Sequence, residues 1–177
     1  MDLAKIEAME EVAKFCRARQ EICHHAEPVP QVALLLSTAA NYRKMNGLFS
    51  RDYSRLSGVL QALLESQQSV EIVGEHQLAG RMAEYPLIVV PEWEYLEPQF
   101  QRELVDYVKS GGNLLLIGPK TAALFQAELG VTLEGEPKPP GSIFLGHAGV
   151  LTPTKSEQQP VKLGPDATPF GTLHLTN

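Results

Sequence analysis

Glu92 and Glu94 flank Trp93 in the stretch PEWEYLEP. A carboxylate pair is the machinery of glycoside hydrolysis, the two groups standing about 5 to 9.5 Å apart across the scissile bond. In an extended segment residues i and i+2 point the same way, so this pair reaches such a spacing. Trp93 could stack on a sugar or cap the sheet edge. Catalysis also needs the carboxylates opposed about the sugar, which local sequence does not supply. A second stretch, SGGNLLLIGPKTA (110–122), runs from a Gly-Gly turn through an apolar run into Gly118-Pro119-Lys120. Several α/β enzymes mount a reactive Cys or Ser where a strand meets such a turn. Here the turn offers Gly, Pro, Lys and Thr.

Ser37 and Thr38 follow another apolar run, Val32–Leu36. In an open parallel sheet, ligands sit at the carboxyl ends of the strands near the switch in strand order. Ser37, Thr38, Glu92, Trp93, Glu94, Gly118 and Lys120 are all expected there, as candidates for a sugar-binding groove. Loop ends are also polar simply because they face water. For catalysis the plainer reading is the stronger, and no catalytic residue is assigned.

His24-His25 lacks any CxxC, HxxxH or HExxH spacing, and a histidine near a helix C-terminus is the simpler reading. His76, His147 and His174 stand apart in sequence. There is no GxGxxG, GxxxxGK[ST] or GxSxG, so phosphate-loop and hydrolase-elbow readings lack support. No metal or cofactor is expected. Cys16 and Cys23 lie two helical turns apart, about 10.5 Å at 1.5 Å per residue, beyond the reach of a disulfide. They read as free thiols on a packed helix face.

The chain has 177 residues, 44% hydrophobic and 20% charged, with a formal net charge of −6. That is the composition of a globular domain with a real core. Lys and Arg are scattered, which argues against a nucleic-acid partner. No apolar run approaches the roughly 20 residues needed to span a bilayer. The compartment is left open.

Residues 2–24 have the period of a helix, with Leu3, Ile6, Met9, Val12, Ala13, Cys16 and Cys23 recurring between charges. Such a stripe must bury itself against this domain, a second copy or a neighbouring domain. Then strands alternate with helices. Val32–Leu36, residues 70–73, Leu87–Val90 and residues 114–117 read as strands. Leu56, Leu60, Leu63 and Leu64 mark one helix face, and Phe100, Leu104, Tyr107 and Val108 another. Pro98 suits a first helical turn, Ser110-Gly111-Gly112 a helix stop, and residues 121–129 a further short helix. The alternation implies a mostly parallel sheet in a flavodoxin-like α/β three-layer sandwich, strand order 2-1-3-4. From about Glu134 the helical period disappears, and seven of the 13 prolines lie in 134–177. GSIFLGHAGVL reads as a strand or hairpin, and TLHLTN as a short extended end. The expected division is 1–31 lead-in helix and connector, 32–133 α/β domain, and 134–177 Pro-rich β-containing extension. That extension has the pattern of a linker opening a further β domain, as in a piece of a longer protein.

PQVALLLST and EYPLIVVPEWEYLEPQFQRELVDYVKSGGNLLLIGPKT resemble the class I glutamine amidotransferase-like fold. The pattern from YPLIVVP to DYVKSGGNLLL resembles in particular the trimerisation domain of bacterial β-galactosidases. VAKFCRARQEICHHAEPVPQVALL is similar to the helix and connector leading from a glycosidase barrel into such a domain. The resemblance covers roughly the first three-quarters of the chain. It implies a domain that follows a catalytic barrel and carries no amidotransferase chemistry. A working amidotransferase of this class holds Cys at the turn where this chain has Gly118 or Pro119. No His-x-Glu pair follows, since His147 precedes Ala148-Gly149 and His174 precedes Leu175-Thr176. Nucleophile, base and orienting acid are all missing.

The expected function is a non-catalytic structural, oligomerisation or substrate-shaping module of a multidomain glycoside hydrolase. Its partners would be other domains of the parent chain, a second or third copy of itself, and a carbohydrate. The alternatives are a small-ligand (sugar) binding domain, or an independent hydrolase using Glu92 and Glu94.

Overall fold

The computed structural model describes residues 3–27, 29–43, 53–138, 143–154 and 157–175. Along the chain run α1 (Leu3–Cys23), β1 (Val32–Leu36), α2 (Thr38–Arg43) and α3 (Ser54–Glu65). Next come β2 (Val70–Gly74), α4 (Glu75–Leu78), a 3-10 turn at Met82–Glu84, β3 (Leu87–Val90) and α5 (Pro98–Lys109). β4 (Asn113–Leu116) and α6 (Pro119–Leu124) complete the α/β part.

β1 has no polar residue because it lies in the middle of the sheet, covered on both faces. The four strands are parallel in the order β2-β1-β3-β4, with Leu34 opposite both Ile72 and Val89. The alternation of side chains across a strand then builds two cores. Ala33, Leu35, Ile88 and Val90 face the buried side of α5, formed by Phe100, Leu104 and Tyr107. Val32, Leu34 and Val89 face Leu56, Val59, Leu60 and Leu63 of α3. Each fully buried Leu or Ile here is worth about 1.5–3 kcal/mol relative to exposure. The sheet is therefore the main source of stability, and Leu34→Ala removes material that nothing can refill.

α5 starts at Pro98 in its first turn and stops where Gly111 takes φ +98. Gly112 follows because the Tyr107 ring lies over its backbone; an added Cβ would come 2.2 Å from Tyr107 Cζ. The Tyr107 hydroxyl donates to the Tyr85 carbonyl at 2.9 Å and accepts from the Asn113 amide at 3.1 Å, tying the helix to β4.

Beyond the α/β part, β5 (Val131–Leu133) pairs antiparallel with β8 (Val161–Leu163). β6 (Ile143–His147), β7 (Val150–Thr154) and β9 (Thr172–Leu175) form an antiparallel sheet in the order β7-β6-β9. The β6–β7 hairpin turns through Ala148 and Gly149, both at positive φ, as a two-residue loop matched to strand twist requires.

Several local expectations shift. Two short helices, α2 and α4, have no counterpart in the sequence reading; the start of α2 is held by one buried carboxylate described below, and that of α4 by Gln77, which accepts from the Gly74 amide at 3.0 Å. The last helix spans Pro119–Leu124 rather than 121–129, because Pro119 opens it and Phe125 leaves the helix to enter the core. The fourth strand begins at Asn113, one residue early, and the second runs on to Gly74. Leu64 and Val108 point outward instead of joining their helix faces. Ile6, Met9, Val12, Phe15 and Ile22 of α1 are exposed as well. Cys16 and Cys23 are free but exposed, since nothing described packs on that helix.

Candidate functional site

The carboxyl ends of the strands gather the sequence candidates, and each is positioned by its strand. At the end of β1, the buried Ser37 hydroxyl donates to Glu75 Oε1 at 2.6 Å. Ser37 Oγ also accepts from the Ala40 amide at 3.0 Å, as an N-cap of α2 does. Glu75 Oε2 receives the Thr38 amide at 3.0 Å and the Thr38 hydroxyl at 2.7 Å. Glu75, delivered by the end of β2, thus clasps the beginning of α2. Ser37 and Thr38 spend their polar atoms on this clasp.

At the end of β3, Trp93 donates its indole N–H to the Leu35 carbonyl at 2.8 Å and its ring borders both cores. Thr121 of α6 donates its hydroxyl to the Pro91 carbonyl at 3.0 Å. Glu94 reaches Lys120 Nζ at 3.4 Å, an exposed pair. Exposed pairs of this kind contribute about 0–1 kcal/mol. Arg43 lies 3.4 Å over the Tyr95 ring. Burial, then a hydrogen bond with Glu97, pushes the Tyr95 hydroxyl up from its ordinary range.

The decisive geometry is at Gly118. It leads into α6 at φ +90, ψ 159, a backbone state that only glycine takes without strain. A Cβ placed there would lie 2.5 Å from Glu92 Cγ and 2.8 Å from Glu92 Cδ. Glu92 therefore occupies the volume into which a reactive side chain at 118 would project. Its carboxylate is held by Arg55 Nη1 at 2.8 Å, while Glu92 Oε1 is buried with no hydrogen-bond partner among the described residues. Glu92 and Glu94 thus turn to different cations on different elements, Arg55 on α3 and Lys120 on α6.

Glu75, Arg55, Tyr95 and Thr121 also belong to this cluster and carried no sequence signal of chemistry. Glu75 could have been found by the strand-end rule, since it directly follows β2. Among the described residues no group of three or more His, Cys, Asp or Glu could hold a metal ion, and no helix is long and apolar enough to cross a membrane.

Residues 41–120 match a family model described as GLMA-like, second domain. Among curated proteins none matches by sequence. Among solved structures, Gan42B, a GH42 β-galactosidase from G. stearothermophilus, in its catalytic-mutant form, superposes with a TM-score of 0.68 at 16% identity, covering 95% of this chain and 27% of that one. The fold is one that β-galactosidases carry. The β-galactosidase from the psychrophilic Marinomonas ef1 gives 0.62 at 18% identity, over 86% of this chain and 26% of that one. The exo-β-1,4-mannosidase Op5Man5 from Opitutaceae bacterium strain TAV5 gives 0.59 at 17%, over 87% and 29%. This chain therefore spans less than a third of the length of each. It resembles the trimerisation-type accessory domain of GH42 β-galactosidases, as the stretch from YPLIVVP to DYVKSGGNLLL implied.

Proposed function

We propose that this chain is a non-catalytic accessory module of a multidomain glycoside hydrolase. It would pack beside a catalytic domain and shape or stabilise the assembly. Position 118 carries the reading: a glycine at positive φ whose side-chain space is filled by Glu92. The likeness to domains within β-galactosidases and a mannosidase supports it. The α/β unit would be residues 32–133, with 1–31 leading in from the neighbouring domain and 134–177 leading out.

The test is turnover by the purified chain on aryl β-galactoside, aryl β-mannoside and glutamine. No release above a buffer control is expected, and turnover abolished by Glu92→Gln or Glu94→Gln would replace the accessory reading with a hydrolase. A thermal-shift series with galactose and mannose at millimolar concentration tests the sugar-binding alternative at Ser37, Thr38, Glu92, Trp93, Glu94, Gly118 and Lys120. Since Ser37, Thr38 and Trp93 already bond within the protein, no saturable shift is expected.

A further inference from the structure

We draw no further inference here: the strongest candidate, the apolar cleft of about 540 Å³ between α5 and the residues after α6 at the β4 end of the sheet, carries nothing because nothing in the structure shows what covers it.

Discussion

Gly118 and Glu92 divide one small volume between them, and the consequences can be measured. Gly118→Ala adds both positive-φ strain and a collision with Glu92. Each is worth about 1–3 kcal/mol, so urea unfolding should show a loss of about 2–6 kcal/mol. Arg55→Ala removes the cation that holds the Glu92 carboxylate, and one of its oxygens already lacks a partner among the described residues. Because Arg55 is half-exposed, water offsets part of the loss, and the expected cost is about 1–2 kcal/mol. Glu92→Gln in the Arg55→Ala background should recover stability, since it removes the stranded charge; a further loss in the double variant would show that the pair is not coupled this way. Tyr85 gives a second residue-scale test. Burial and then its 2.6 Å hydrogen bond to Glu71 push its hydroxyl from 10.0 to about 12. The folded state therefore holds this proton after the unfolded chain has released it. The associated stability is complete below pH 10 and is lost as pH rises through 12. Ultraviolet titration should show a tyrosinate component near pH 12 that Tyr85→Phe removes.

Among the elements, what was legible in the sequence was what burial dictates. Val32–Leu36 and Leu87–Val90 read as strands because a central parallel strand excludes polar residues on both faces. Phe100, Leu104 and Tyr107 were legible because one helix face meets one sheet. Alternation of those elements was enough to give the strand order. The short elements were not legible. α2 owes its start to Glu75, which bonds Thr38 across 37 residues of sequence, and no local pattern records such a partner. β5 and β8 have three residues each, too few to show a period. The same limit applied to the site. Ser37, Thr38 and Trp93 were recognisable as strand-end residues, but that their polar atoms turn inward depends on Glu75 and on the Leu35 carbonyl. Glu75→Ala, deleting a nearly buried acceptor of four hydrogen bonds, should cost about 2–4 kcal/mol, with the loss of amide-exchange protection centred on α2 and the end of β1. Protection unchanged there would mean that the clasp does not hold α2.

For the whole molecule, unfinished surfaces matter as much as the core. α1 presents Met9, Val12, Phe15 and Ile22 to solvent, and the sheet ends at a strand flanked by exposed apolar groups. Both suit a module that completes itself against other protein, while the strand ends, where ligands bind in many folds of this type, are filled by the protein's own side chains.

The filling of position 118 by Glu92 also constrains the order in which substitutions can accumulate. A thiol or hydroxyl placed at 118 first meets Glu92; shortening Glu92 first empties a packed volume and breaks its ion pair with Arg55 of α3. Either route passes through a less stable protein before any chemistry could repay it, and the backbone at 118 would still have to leave positive φ. Glu92 and Gly118 are thus coupled positions, and neither changes alone without a loss of packing.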